Sequence, residues 1–192
     1  MHLETISFLE GSCHFTGRNM KRRNVFSISI MDTSCLISSV DFHARCSTSI
    51  NFGCSRSGNY PNIINPIMSA RLYTLDSFYF KYGRVEARAK LPAGDWLWPA
   101  IWMMPRFNGY GGWPRSGEID IMESRGNRKY FNWEGRNIGT ESVTSTLQFG
   151  PDWRHNGYER TLTSRTTEPD KGFDRDFHVY GVEWTDGIVY IR

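Results

Sequence analysis

The stretch GEIDIMES, residues 117–124, places three carboxylates within six positions of one predicted strand. Glu118 and Asp120 are two residues apart, so on a strand they share a face. Strict alternation would turn Glu123 to the opposite face, where burial of a lone carboxylate would cost several kcal/mol. We therefore predict a β-bulge at Ile121–Met122, which returns Glu123 to the face of the other two acids and turns the methionine toward the sheet packing.

Three interpretations of the clustered acids are open from this stretch alone. They could form a solvated acidic face, or a divalent-cation site built from carboxylate oxygens. They could also supply the pair of carboxyl groups that hydrolyses glycosidic bonds. Strand residues four steps apart have Cα atoms roughly 13 Å apart, a gap that two glutamates leaning together largely close, so the outer two acids would be the working pair. Tryptophans able to stack on sugar rings favour this third interpretation: Trp96, Trp98, Trp102 and Trp113.

Length and composition exclude several classes of protein. The chain has 192 residues, enough for one domain with a sizeable core. Its net charge of +3 is spread over scattered basic residues, so we expect no nucleic-acid partner. No apolar stretch is long enough to span a membrane, and we expect no membrane partner. The N-terminus has neither the basic region nor the apolar run of a secretory signal peptide.

The chain after about residue 55 has the pattern of an all-β protein. KYGRVEARAKLP, residues 81–92, alternates charged and apolar side chains, which predicts a half-buried strand. WLWPAIWMMP, residues 96–105, is apolar on both faces and predicts a central strand. Further strands are expected in residues 117–124, 143–150 and 177–185. Turn-rich connections, no internal repeat and no convincing amphipathic helix indicate a β-sandwich or jelly roll.

The cysteines leave two alternatives open. Four are present, at positions 13, 35, 46 and 54. Cys46 and Cys54 are close enough in sequence to close a short loop in an oxidising compartment, whereas free buried thiols are equally compatible with this spacing.

A family resemblance becomes specific when the motifs are read in order. WPAIWMMP (98–105) followed by GGWPRSGEIDIMESRGN (111–127) resembles glycoside hydrolase family 16, in its laminarinase branch and the related invertebrate β-1,3-glucan-binding proteins. The family signature E-x-D-x-x-E is matched by Glu118, Asp120 and Glu123. Supporting matches are NPIMSARLYT, FKYGRVEARAKLP, GDWLW, STLQFGPDW and FHVYGVEWT. We expect a partial family domain over residues 46–192, an atypical segment over residues 1–45, and a fold incomplete at both ends.

The resemblance implies a fold, an activity and a set of site residues. The fold would be a concanavalin A-like jelly roll of two antiparallel sheets with a concave glycan cleft, and the activity retaining endo-hydrolysis of β-1,3-glucan of the laminarin type. Glu118 would be the nucleophile, Glu123 the general acid/base, and Asp120 a hydrogen-bond partner of the nucleophile. Residues expected to bind substrate are Trp113, Trp102, Trp98, Arg84 and Gln148.

Alternatives accompany several of these site residues. Core packing is the alternative for Trp98 and Trp102, and a plain surface-strand position is the alternative for Arg84. Gln148 stands where relatives often carry a histidine that contacts sugar, which would reduce affinity or turnover. The pair Cys46–Cys54 resembles the family's disulfide.

The resemblance also predicts partners and location. The partner would be β-1,3-glucan, and we expect an extracellular monomer without a cofactor. We assign no metal ligands, because the calcium sites of this fold draw on its terminal regions. Two rival hypotheses are a glucan-recognition protein of innate immunity that binds without cutting, and a chain that neither folds nor acts alone.

Overall fold

The computed structural model describes two compact units of the chain. The described residues are 69–74, 77–95 and 97–192, together with the strand segments His2–Leu9, Ser39–Asp41 and Ser55–Ser57. One unit comprises Met1–Ile28 and Ser69–Arg192, and the other comprises Ser29–Met68. In the smaller unit β2 (Ser39–Asp41) pairs with β3 (Ser55–Ser57) in an antiparallel ribbon. The predicted Cys46–Cys54 disulfide lies outside the described residues.

The larger unit contains two antiparallel sheets. A six-stranded sheet has the order β4-β1-β6-β7-β8-β9 and a three-stranded sheet has the order β11-β10-β5. The strands of the first are β1 (His2–Leu9), β4 (Ser69–Tyr73), β6 (Ala100–Met104), β7 (Glu118–Ser124), β8 (Ser142–Gln148) and β9 (Thr163–Thr166). Those of the second are β5 (Gly83–Ala89), β10 (His178–Trp184) and β11 (Val189–Ile191). Short 3-10 helices span Trp153–His155 and Tyr158–Arg160.

Apolar side chains from both sheets form one core, which confirms the predicted two-sheet all-β class. Strand β5 alternates as its sequence predicts, with Val85 and Ala87 packed against this core. Strand β6 begins only at Ala100, because Pro99 has no N–H for the ladder. The buried core residues include Ala89, Ile101, Met103, Ile119, Ile121, Met122, Val143, Tyr180 and Val182.

Strand β1 was not expected from its sequence, yet it lies inside the six-stranded sheet. It pairs antiparallel with β4 on one side and β6 on the other, with Glu4 opposite Trp102. HLETISFL mixes apolar and polar residues at both sets of alternate positions, so it lacks the period-2 pattern of a half-buried strand. Pairing on both sides satisfies its backbone groups without that pattern.

The predicted bulge in β7 is confirmed. Asp120 pairs with Thr146 and Glu123 pairs with Thr144, so two residues of β7 face the single residue Ser145 of β8. The pairing with β6 shifts by one residue at the same place. The Ser145 hydroxyl donates a hydrogen bond of 2.8 Å to the carbonyl of Ile121, which the bulge displaces from the regular ladder. Both residues of the bulge, Ile121 and Met122, point into the core, where they are 2% and 1% exposed.

Replacement of Met122 by alanine should destabilise the fold. The side chain is 1% exposed and packs in the core, and loss of such a side chain typically costs about 2–5 kcal/mol. Met122→Leu keeps the volume and should cost less than about 1.5 kcal/mol. Urea unfolding of both variants measures the difference. Equal stabilities for Met122→Ala and the parent chain would show that the bulge does not turn this residue into the core.

Candidate functional site

The three acids of β7 lie together on the face of the six-stranded sheet opposite the core. The residues that intervene between them, Ile119 and Ile121–Met122, belong to the core. The carboxyl groups of Glu118 and Asp120 are hydrogen-bonded to each other, and the charge of Asp120 acts on Glu123. The bulge thus produces one cluster of three carboxyl groups.

Glu118 is surrounded by groups that favour its ionised form. Burial raises its pKa, and the charge of Glu123 acts in the same direction. Opposing them are hydrogen bonds from Asp120 and from the indole Nε1–H of Trp113 to Oε2, and the positive charge of Arg71. On balance the pKa of Glu118 is raised, and the two hydrogen bonds and the charge of Arg71 limit that rise.

Burial and a neighbouring charge favour the protonated form of Asp120. Its side chain is 2% exposed, and burial, followed by the charge of Glu118, raises the pKa of Asp120 to about 7. The Nε2–H of Gln148 donates a hydrogen bond of 2.9 Å to Oδ2. Since two adjacent carboxylates repel, the pair shares a proton, and Asp120 is the donor in the hydrogen bond between them.

Glu123 is the second protonated acid of the cluster. Burial, followed by the charge of Asp120, raises the pKa of Glu123 to about 7. The indole Nε1–H of Trp98 donates a 3.0 Å hydrogen bond to its Oε1, and the charge of Arg125 also opposes the rise. Because an indole N–H only donates, Oε1 is an acceptor, which favours Oε2 as the oxygen that carries a carboxylic proton.

The segment that carries Trp98 is fixed by backbone hydrogen bonds on both sides of it. The N–H of Gly126 donates to the carbonyl of Leu97 at 2.8 Å, and the N–H of Ser124 donates to the carbonyl of Pro99 at 3.1 Å. The N–H of Gly94 donates to the carbonyl of Gly126 at 2.9 Å. A Cβ on Gly126 would lie 2.4 Å from the Gly94 carbonyl oxygen, so only glycine permits this approach. These contacts hold the indole of Trp98 against Glu123.

The loop between β6 and β7 positions Trp113 at the other end of the cluster. The Arg115 guanidinium donates to the carbonyl of Pro151, and the Ser116 hydroxyl donates to the carbonyl of Gly111 at 2.6 Å. Pro114, which follows Trp113 through a cis peptide bond, is fully buried. The loop is thereby tied to the loop after β8, with the indole of Trp113 at Glu118.

The structure brings together seven of the eight residues predicted for catalysis and substrate binding. Trp102 is the register partner of Asp120, and its neighbours Ile101 and Met103 face the core, so its ring lies on the side of the acids. Trp98 precedes β6 and is 60% exposed, so neither tryptophan is a core residue. The residues brought together are Glu118, Asp120, Glu123, Trp98, Trp102, Trp113 and Gln148.

The prediction that Arg84 lies in the cleft is corrected by the structure. Arg84 belongs to β5 in the three-stranded sheet, whereas the acids lie on the six-stranded sheet. Because Val85 faces the core, Arg84 faces outward, where it pairs with Glu86 at 2.9 Å.

Two residues of the site were missed by sequence analysis. The guanidinium of Arg71 on β4 lies 4.6 Å from the centroid of the Trp102 ring, and its charge opposes the rise in the pKa of Glu118. Arg71 lies within NPIMSARLYT, a segment that resembles the family. The sequence therefore contained a feature that could have indicated this residue. Asn156 donates to Gln148 at 2.8 Å, and nothing in its sequence context indicated that role.

Two absences hold for the part of the chain that the structure describes. There, no group of three or more His, Cys, Asp or Glu side chains has the arrangement of a metal site. Over the same residues no helix has the length and apolar character needed to cross a bilayer.

Comparison with known proteins gives the family. The sequence profile of glycosyl hydrolases family 16 matches residues 65–191. The chain belongs to this family. The catalytic domain of a laminarinase from Thermotoga maritima MSB8 superposes with a TM-score of 0.53 and 31% identity, over 70% of this chain and 49% of that one.

Family 16 relatives of two kinds are similar to this chain. A β-1,3-glucan-binding protein from Penaeus monodon is 49% identical over 140 residues, which is 73% of this chain and 37% of the relative. Glucan endo-1,3-β-glucosidase A1 from Niallia circulans is 40% identical over 132 residues, 67% of this chain and 17% of the relative. The chain therefore spans well under half the length of these two relatives. The first is named for glucan binding and the second for glucan cleavage.

The raised pKa values predict a stability that falls as pH rises. Folding lifts the pKa of Asp120 and Glu123 to about 7 from ordinary values near 4, so between these pH values the folded state binds more protons than the unfolded state. Their stabilising contribution is complete below about pH 4 and is lost as pH rises through about 7. Each pKa unit of difference corresponds to at most about 1.4 kcal/mol.

Asp120→Asn should flatten this dependence, because an amide imitates the neutral acid at every pH. Urea unfolding from pH 4 to pH 8 measures it, with Glu168→Gln as the control since that side chain is 74% exposed and lies in a surface ion pair. An unchanged slope in Asp120→Asn would mean that Asp120 is ionised in the folded protein.

Proposed function

We propose that this chain is a retaining endo-hydrolase of β-1,3-glucan of the laminarin type, which uses Glu118 as nucleophile and Glu123 as general acid/base. The observation that supports this most strongly is the unequal environment of the two glutamates within one cluster. Glu118 receives hydrogen bonds and a positive charge, whereas burial keeps Glu123 protonated up to about pH 7. Two carboxyl groups in opposite protonation states are what double displacement at a sugar requires.

The first half of the proposed reaction transfers the sugar to the enzyme. A carboxylate oxygen of Glu118 attacks the anomeric carbon while the bond to the leaving oxygen breaks. The proton on Oε2 of Glu123 passes to that oxygen, since Oε1 is occupied by the Trp98 indole. The products are a glycosyl ester on Glu118, a free sugar hydroxyl on the departing chain, and an ionised Glu123.

The second half returns both glutamates to their starting states. Glu123, now a carboxylate, takes a proton from water as that water attacks the anomeric carbon from the side of the departed chain. The ester bond to Glu118 breaks and the carboxylate is released. Two inversions give net retention of the anomeric configuration. The proton that Asp120 shares with Glu118 stabilises the leaving carboxylate in this step.

Exposed indoles at both ends of the cluster suit a sugar chain lying across the sheet. Trp98 and Trp113 use their N–H groups on the two glutamates, yet they remain 60% and 45% exposed. An indole fixed through its edge presents its apolar face, and sugar rings stack on such faces. We take the β-1,3 linkage of the proposed substrate from the names of these two relatives.

The second candidate function is recognition of β-1,3-glucan without cleavage. It is favoured by the 49% identity to a protein named for glucan binding. The complete set of three acids, each with its hydrogen-bond partner, favours the hydrolase, because binding alone gives no reason to keep a protonated and an ionised glutamate side by side. Under either function we propose an extracellular, monomeric protein that acts without a cofactor.

Incubation of the purified chain with laminarin should release reducing ends. Glu118→Gln and Glu123→Gln should each lower the rate on the order of a thousandfold, the scale of losing a catalytic group. Both variants should still bind insoluble β-1,3-glucan in a pull-down, because the amide keeps the size of the side chain. Glu168→Gln, on the surface, is the matched control and should retain the parent rate.

The two assays together separate the candidate functions. Glucan binding by the parent chain without new reducing ends would favour recognition and exclude hydrolysis. Absence of both binding and cleavage would exclude both functions for this chain. Short oligosaccharides among the early products identify endo-cleavage, whereas release of glucose alone would contradict it.

A further inference from the structure

A one-way series of hydrogen bonds leads from the backbone of the loop after β8 to Asp120. The backbone N–H groups of Phe149 and Tyr158 both donate to Oδ1 of Asn156, each at 3.2 Å. The Nδ2–H of Asn156 donates to Oε1 of Gln148 at 2.8 Å, and the Nε2–H of Gln148 donates to Oδ2 of Asp120 at 2.9 Å. Every bond in the series points toward the acid.

The backbone fixes the direction of the whole series. A peptide N–H can only donate, so the atom of Asn156 that receives two of them must be its oxygen. Its nitrogen then faces Gln148, which must present its own oxygen there and its nitrogen to Asp120. Neither amide titrates or can reverse while these backbone bonds persist, so Oδ2 of Asp120 is an acceptor at every pH.

We propose that Gln148 and Asn156 are positioning residues that confine the carboxylic proton of Asp120 to the oxygen facing Glu118. The carbonyl oxygen of a carboxylic acid is its better acceptor, so with Oδ2 accepting from Gln148 the proton is favoured on Oδ1, and Glu118 is the hydrogen-bond partner of the Asp120 carboxyl group. Gln148 thus acts on the nucleophile through Asp120. The proposal takes its chemical meaning from the proposed hydrolase, but it concerns protonation of the free protein and is testable without substrate.

The charged groups around this carboxyl pair are known from the described residues. Glu118 faces Arg71 from β4 and Glu123 from its own strand, and Glu123 faces Arg125. Gln148 from β8 is a neutral neighbour. A change at position 148 to a neutral residue leaves these charges in place, whereas Asn156→Asp also adds a carboxylate, whose direct effect has to be separated from that of the hydrogen bond at Oδ2.

Asn156→Asp is the variant that reverses the series. One carboxylate oxygen still accepts from the two backbone N–H groups, but the other now faces Gln148 and must receive a donor. The amide of Gln148 turns over, its oxygen faces Asp120, and the proton of Asp120 moves to Oδ2. Glu118 loses its donor, so its titration midpoint should rise by about one pKa unit, the scale of a charge-assisted hydrogen bond.

The two indoles provide separate reporters of the two glutamates. Trp113 donates to Glu118 and Trp98 donates to Glu123, so the ¹H–¹⁵N indole signals, assigned with Trp113→Phe and Trp98→Phe, follow each titration. In Asn156→Asp the Trp113 midpoint should rise by about one unit and the Trp98 midpoint by clearly less. An unchanged Trp113 midpoint, or equal rises at both indoles, would overturn the proposal.

A double-mutant cycle with Gln148→Met separates an effect transmitted through the series of hydrogen bonds from a direct effect of the added charge. Gln148→Met removes the donor at nearly constant volume and should itself raise the Trp113 midpoint. In that background Asn156→Asp should add little, because the residue that transmits its effect is gone. A full additional shift there would show that the new carboxylate acts through space. An unchanged Trp113 midpoint in Gln148→Met alone would also contradict the proposal. Failure of the parent chain to cleave laminarin would refute the proposed function and leave this titration result standing.

Discussion

The β-bulge at Ile121–Met122 is the constraint on which the functional site depends. It allows Glu123, three residues after Asp120, to share a face with Asp120 and Glu118, while both side chains of the bulge pack into the core. Regular alternation would have buried the carboxyl of Glu123 among apolar side chains and left Met122 beside the other acids. The hydrogen bond from Ser145 to the Ile121 carbonyl accommodates the irregular backbone, so the irregularity is stabilised from the neighbouring strand.

The second organising factor is the unequal environment of the three carboxyl groups. Burial raises the pKa of all three, but donors converge mainly on Glu118. Trp113 supports Glu118 from the loop between β6 and β7, and Trp98 supports Glu123 from the segment before β6. Both indoles oppose the rise in the pKa of the glutamate they contact. Under the proposed function the same side chains would also stack on the sugar, so substrate binding and proton placement would share them.

Much of the fold and the acid cluster could be predicted from sequence, because short-range rules determine them. Alternation in β5, the apolar run of β6 and the broken rhythm of GEIDIMES are local patterns, and each predicted strand is present. Long-range placement was not accessible in this way. The alternation that makes Arg84 an outward-facing residue does not say which sheet β5 joins. Strand β1 and the exposed β9 lack a hydrophobic period. The contact of Asn156 with Gln148 depends on how a loop returns to the sheet.

The central claim is that the bulged strand presents Glu118 as the nucleophile and Glu123 as the acid. Covalent trapping of the nucleophile tests it most directly. A 2-deoxy-2-fluoro β-1,3-linked glucosyl donor with a good leaving group slows hydrolysis of the glycosyl ester, and mass spectrometry of proteolytic peptides then locates it. We expect one adduct per chain, attached to Glu118, and none in Glu118→Gln. An adduct on Glu123 or Asp120, or unmodified protein that nevertheless cleaves laminarin, would contradict this assignment of the site.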